Sequence, residues 1–238
     1  MKIISWNCGG WACGGFNDER LDILLSNKPE IIIIQECTEK EFNNIKYQCK
    51  SRYWYGDDKE ESYKGIALFS NTYNIKTHEK FNNNFRYVVP YEIDGLIDQK
   101  IVLLSVWTKK PFDGTDDYQK TIFDALNFYK FNLPLIVIGD FNTGANNEFV
   151  TRYNKLYEEL SKYNLKNCTK NTSYEYEFTF YHDGQKKFYT NDYCFISEQF
   201  GINYINIPNK NEWEEISLNK IRWKKLSDHC PIEIDIKI

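Results

Sequence analysis

Residues 31–40 read IIIIQECTEK, four consecutive isoleucines that run straight into Gln35 and Glu36. An unbroken run of β-branched residues reads as a strand buried on both faces, inside a sheet that is covered on each side. A carboxylate at the end of such a strand is carried to a fixed place at the rim of the sheet. The pattern recurs in PLIVIGDFNTG (134–144), a buried strand that delivers Asp140 and Asn142 into a glycine-flanked turn. KIISWN (2–7) ends on Asn7, and SDHCP (227–231) sets Asp228 and His229 just before the last strand. YTNDYCF (189–195) carries Asp192 in an aromatic setting. Strand ends beside short turns are where a rigid scaffold presents functional side chains, so these acids, amides and one histidine point to a convergent polar site at one edge.

Working outward, NDERLDILLSNKP (17–29) reads as a helix with Asn17 or Asp18 as N-cap, Leu21, Leu24 and Leu25 on one face, and Pro29 as its stop. DDYQKTIFDALNFYKFN (116–132) and FVTRYNKLYEELSKY (149–163) repeat apolar residues at helical spacing. GIALFS (65–70), RYVVPYEI (86–93), KIVLLSVW (100–107), EFTFYH (177–182), FYTNDYCFI (188–196), INYINI (202–207) and CPIEIDIKI (230–238) read as strands. Strands and helices interleave, yet several strands follow one another directly, which fits mixed sheets flanked by helices. With no linker, repeat or low-complexity tract, residues 1–238 read as a single domain.

The composition narrows the classes. Thirty Lys and Arg face 34 Asp and Glu, a net charge of −4, which counts against a strongly basic, non-specific nucleic-acid binder but leaves room for a local basic groove. No apolar run approaches membrane-spanning length and no signal peptide is visible. The 7 cysteines are odd in number, scattered and without a CxxC pair, as expected of reduced thiols in a cytoplasmic protein. Cys8 and Cys13 have no histidine or further cysteine pair nearby, so zinc is set aside.

The chemistry that such a polar set suits is metal-assisted attack on phosphorus. A hard cation such as Mg²⁺ takes carboxylate, water and phosphate oxygens. A second carboxylate can accept a proton from water, amides orient phosphate oxygens without repelling them, and a histidine held by an aspartate serves acid/base work. Taken singly, Glu36 also reads as a surface acid, Asp140 as a turn former, Asp192 as a cap for a neighbouring amide and His229 as a structural histidine. His78 has no motif around it and reads as surface.

SWN (5–7), IIIIQE (31–36), GDFN (139–142), NDYCF (191–195) and SDH (227–229), in this order, resemble the endonuclease/exonuclease/phosphatase superfamily, whose members include exonuclease III and the pancreatic-type deoxyribonuclease. The likeness spans residues 3–237 and suggests a short bacterial-type member. It implies a four-layer α/β/β/α sandwich, two packed mixed sheets flanked by helices. Carried over motif by motif, it implies that Glu36 is the main Mg²⁺ ligand, with Asn7 beside it and Asp228 as a further metal-side carboxylate. Mn²⁺ is the natural substitute ion. Asp140 resembles the acid that activates water or protonates the leaving oxygen, and Asn142 the amide that orients it. Asp192 resembles the residue that holds the catalytic histidine, His229. The resemblance leaves open whether Asp140 or His229 is the base.

Two departures stand out. Gly9 replaces the Asp or Asn of the DNA-repair members, and LLSVWTKK (103–110) lacks the second histidine of other branches. Trp107, Lys109 and Lys110 are left there to contact phosphate or base, with His182 as a partial stand-in. NKIRWKKLSDH (219–229) adds Lys220, Arg222, Lys224 and Lys225 around Trp223, and GQKKF (184–188) adds Lys186 and Lys187. Phosphate backbones call for such cations, and Trp223 or Trp11 could stack on bases. The expected function is therefore a metal-dependent nuclease, with DNA ahead of RNA. A phosphodiesterase or phosphatase on a small nucleotide or phosphorylated metabolite is the alternative, favoured by the acidic total. A catalytically inert binding protein is disfavoured by the intact polar set.

Overall fold

The computed structural model describes residues 1–9, 15–56, 63–94, 100–110, 117–144, 150–169, 178–182, 184–208 and 226–238. In chain order its elements are β1 (Lys2–Asn7), α1 (Asp18–Leu25), β2 (Ile31–Thr38), α2 (Glu39–Asn44), β3 (Ser51–Gly56), β4 (Lys64–Ser70), β5 (Asn74–Thr77), β6 (Val88–Asp94) and β7 (Ile101–Trp107). Then follow α3 (Lys120–Tyr129), β8 (Leu135–Asp140), α4 (Val150–Ser161), β9 (Leu165–Asn167), β10 (Phe180–His182), β11 (Lys187–Tyr189), β12 (Asp192–Ser197), β13 (Gly201–Asn206) and β14 (Ile232–Lys237).

One six-stranded sheet has the order β13-β14-β1-β2-β4-β3, the other β5-β6-β7-β8-β12-β9, and β10-β11 form a separate hairpin. Each large sheet contains one parallel pair, β1 with β2 and β7 with β8, among antiparallel neighbours. Both parallel pairs sit at the centre of their sheets, where the crossovers can be covered on both sides.

The isoleucine run explains the layering. Ile31 and Ile33 point into the core between the sheets, with Ile101, Leu103, Ile136 and Ile138. Ile32 and Ile34 point the other way, onto Leu21 and Leu24 of α1. Each fully buried side chain of this size contributes about 1.5–3 kcal/mol. On the far side of the second sheet, Ile122, Leu126, Leu156 and Leu160 of α3 and α4 cover Val102, Leu104 and Val137. The order is helix, sheet, sheet, helix: the α/β/β/α sandwich. Asn17 caps α1 by accepting from the Arg20 amide, and Thr38 with Glu41 forms a reciprocal capping box on α2.

Some sequence-based expectations are corrected. FYTNDYCFI is two strands, broken at Thr190 and Asn191. The helix expected from residue 116 begins at Lys120. β3, β5 and β9 are edge strands, and short or half-buried edges carry little periodic signal. His78 is not a surface residue: it is 8% exposed, and its ring meets Phe131 edge-on at 5.1 Å.

Candidate active site

A break in the strand pairing delivers Glu36. Opposite β4, Gln35 pairs with Ile66 and Cys37 with Gly65, so Glu36 is the extra residue of a β-bulge. Its φ of 60° is left-handed, a conformation usually left to glycine. An uninterrupted strand would have returned the side chain to the packed helix face; the bulge turns it to the rim instead. A non-glycine residue held there costs roughly 1–3 kcal/mol and is characteristic of functional positions. Asn142, in the turn after β8, shares this conformation with φ 46°.

Asn7 joins the two sheets. Its Nδ2 donates to Glu36 Oε1 at 3.1 Å and to Asp140 Oδ2 at 2.9 Å, while its Oδ1 accepts from the Gly9 amide at 3.0 Å. Asp140 also accepts from the Asn142 amide at 2.8 Å, and Asn142 Nδ2 donates to the Thr108 carbonyl at 2.7 Å. Asp192 stands directly opposite Asp140 in the antiparallel register of β12 and β8. His229 Nδ1 lies 2.8 Å from Asp192 Oδ2. The ligand atoms of Asp140, Asp192 and His229 all fall within 4.8 Å of one another, and all three residues are buried.

The loop that carries His229 is stitched to both sides. Ser227 Oγ donates to the Asn7 carbonyl at 2.8 Å and accepts from the His229 amide at 3.0 Å, and Trp6 Nε1 donates to the His229 carbonyl at 2.9 Å. Phe180 forms an isolated bridge with His229, and the two rings lie 4.7 Å apart. Thr179 Oγ1 accepts from the Asn191 and Asp192 amides, which holds the start of β12. Thr179 and Phe180 carry no signal in the sequence because these contacts are long-range, and the tie from Ser227 to Asn7 spans 220 positions. Lys64 was missed too: its ammonium pairs with Glu36 Oε2 at 2.5 Å. Its signal was a lysine opening the strand that pairs with β2.

Packing sets the charges. Burial pushes the Asp140 carboxyl up to about 7, with the nearby Asp192 charge adding to it and His229 opposing. Burial works against a charged His229, but Asp192, then Asp140 and Asp228, outweigh it and raise the imidazole to about 10. Burial also acts to raise Glu36, yet Lys64, the Asn7 amide and His229 leave it below its ordinary value.

Asn7, Glu36, Asp140 and Asn142 thus form one hydrogen-bonded network, with the His229–Asp192 pair within 4.8 Å of Asp140. Asp228 reaches its edge: Ser227 Oγ lies 3.4 Å from Asp228 Oδ1, and a Cβ on Gly9 would fall 2.9 Å from that same oxygen. The glycine that departs from the motif therefore makes room for a carboxylate. Trp107 is 3% exposed and packs on Tyr87 at 4.5 Å, and Lys109 Nζ covers its ring at 4.6 Å. His182 lies on the β10–β11 hairpin, exposed, with its ring 6.1 Å from Phe180 rather than in the network. Lys186 and Lys187 are exposed on the same hairpin. Trp11, Cys13, Lys220, Arg222, Trp223, Lys224 and Lys225 lie outside the described residues.

A sandwich of two mixed sheets with an oxygen-rich, histidine-bearing rim defines a class of phosphoester-cleaving scaffold. The profile of the endonuclease/exonuclease/phosphatase family matches residues 4–229, and the chain belongs to that family. Its enzymes are hydrolases that act on phosphoester bonds with divalent metal ions. Among solved structures, a family protein from Leptotrichia buccalis is 20% identical with TM-score 0.68, each chain covered in full. The 3′-5′ exonuclease NExo from Neisseria meningitidis is 14% identical with TM-score 0.68, again with full coverage of both. The endonuclease domain of TRAS1, a telomere-specific non-LTR retrotransposon, is 16% identical with TM-score 0.68, covering 100% of this chain and 98% of that one. No curated protein matches the sequence. No helix among the described residues is long and apolar enough to cross a membrane.

Proposed function

We propose that the chain is a divalent-metal-dependent phosphodiesterase acting on DNA, a nuclease. The observation that carries this reading is the single network that ties Glu36, Asn7 and Asp140 across two sheets beside the His229–Asp192 pair. The Glu36 and Asp228 carboxylates are hard oxygen donors that fit Mg²⁺ or Mn²⁺, and Asn7 would join them once its Oδ1, now held by the Gly9 amide, turns to the ion. Glu36, Asn7 and Asp228 would hold the ion, which when bound neutralises phosphate charge and polarises the P–O bond.

Asp140, pushed up to about 7, is poised to take a proton from the attacking water. Asn142, fixed by the Thr108 carbonyl and Asp140, orients that water or a phosphate oxygen. His229, raised to about 10, enters the reaction as a cation and donates to the non-bridging oxygen where charge builds up. Water oxygen bonds to phosphorus, the ester P–O bond breaks, and the Asp140 proton passes on to the departing oxygen. This assigns the base to Asp140 and the electrostatic role to His229.

The DNA reading is supported by Lys109, Lys110, Lys186 and Lys187 near the motifs and by nuclease relatives of the same fold. A small phosphate ester is the second reading, supported by the net charge of −4. A panel of linear, nicked and abasic duplex, single-stranded DNA, RNA, cyclic dinucleotides and a chromogenic phosphodiester separates them. Wild type should cleave a DNA substrate with Mg²⁺, and lose that cleavage with a chelator or with His229→Ala. Equal turnover by both proteins on every substrate would sink the assignment, and turnover confined to small esters would sink the DNA reading.

A further inference from the structure

Both oxygens of Glu36 are already engaged. Oε1 accepts from Asn7, which is itself tied to Asp140, and Oε2 accepts from the Lys64 ammonium. The pair is shielded, with the Lys64 and Glu36 side chains 14% and 22% exposed. Lys64 is held in place from behind as well: its carbonyl accepts from the hydroxyl of buried Tyr87 at 3.1 Å, and Tyr87 is packed on Trp107. Lys64 also opens β4 opposite Thr38, one turn of the pairing away from the bulge that turns Glu36 outward. The strand register that aims the carboxylate therefore aims the cation at it.

A divalent ion bound to Glu36 competes with this ammonium, because two cations on one carboxylate repel each other where the pair is partly shielded from solvent. We propose that Lys64 is a built-in counter-cation: it holds Glu36 in its outward conformation in the metal-free protein and is exchanged for the divalent ion on loading. Lys64 thereby weakens resting affinity for the ion while keeping the ligand preorganised. This rests on the metal-dependent reading given under Proposed function.

The test is Mn²⁺ binding by the purified protein without substrate, followed by calorimetry and by the electron paramagnetic resonance signal of free Mn²⁺. Wild type, Lys64→Met, Lys64→Arg and Glu36→Gln are compared, with Lys64→Gln replacing the methionine variant if that one does not fold. Lys64→Met should bind Mn²⁺ about tenfold more tightly than wild type, the size expected from removing a neighbouring charge. Lys64→Arg, which keeps the cation, should stay near wild type. A residue that only props up Glu36 would give the opposite sign, so Mn²⁺ affinity unchanged or weaker in Lys64→Met overturns the proposal. The underlying reading fails separately: a wild type whose Mn²⁺ binding is absent, or is untouched by Glu36→Gln, overturns the metal site and the exchange with it.

Discussion

The side-chain amide of Asn7, at the end of β1, donates to Oδ2 of Asp140, at the end of β8, at 2.9 Å across 133 positions of the chain. The same Nδ2 reaches Glu36 Oε1 at 3.1 Å, so one amide sets the spacing between the Glu36 and Asp140 carboxylates. Asn7→Ala leaves the buried Asp140 short of a donor. It should lower kcat/KM by about 10²-fold, as the loss of one positioned donor does. Thermal denaturation should also show about 1–3 kcal/mol of lost stability. Normal kinetics in Asn7→Ala would mean that the bridge is incidental.

Asp192 is what keeps His229 protonated. In Asp192→Asn the imidazole loses its anionic partner, and its proton leaves at lower pH. The alkaline limb of the kcat/KM profile should therefore move toward neutrality, with activity at its maximum reduced by about 10²-fold or more. Steady-state rates between pH 6 and about 9.5 read this directly; a uniform drop with no shift of the limb would contradict it.

The same pair makes a stability prediction. The folded-state value for His229, about 10, lies above the ordinary 6.5, so the fold favours the charged form. Its contribution is fully present below about pH 6.5 and is lost as pH rises through about 10. In chelator, the gap in urea midpoint between wild type and His229→Gln should be widest near pH 6 and narrow toward pH 10.

Asp140 shifts in the same direction with the opposite chemical meaning. Its value of about 7 against an ordinary 3.8 means that the fold favours the neutral acid, a stabilisation present below about 3.8 and lost as pH rises through about 7. With the carboxylate as the proposed base, kcat/KM should climb with pH through about 7, and through a lower value once a cation is loaded. Asp140→Asn should remove this acidic limb along with about 10²–10⁴ of the rate. An acidic limb that persists in this variant would assign the titration to another group.

Gly139 has a packing role apart from the chemistry. At φ 147° its Cα faces β7, and an added Cβ would lie 1.9 Å from the Val106 carbonyl oxygen. Gly139→Ala must push apart the central parallel strands that carry Asp140. It should cost about 3 kcal/mol or more, seen as a large fall in Tm or as insoluble protein.

Several of the polar residues that converge in the structure are legible in the sequence. Asn7, Glu36, Asp140, Asp192 and His229 were singled out because each follows or opens a run of apolar residues, and apolar runs are local. The same logic did not tell that the face Trp107 shares with Ile101 and Leu103 is the one that meets the other sheet. Period two tells that alternate residues share a face, but not which face is covered by what.

What the sequence determined by itself was the set of buried strands and the polar residues at their ends, because burial on both faces demands continuous β-branched and apolar residues. The tertiary structure alone decided that these ends meet: Asn7 between Glu36 and Asp140, His229 against Asp192, Lys64 on Glu36, Thr179 under Asp192. It also decided that Glu36 turns outward, through a bulge that exists only as a mismatch between two strands. The physical reason is range. Strand character is written in neighbouring residues, whereas a charge network is set by pairing register and sheet packing, between residues far apart in the chain.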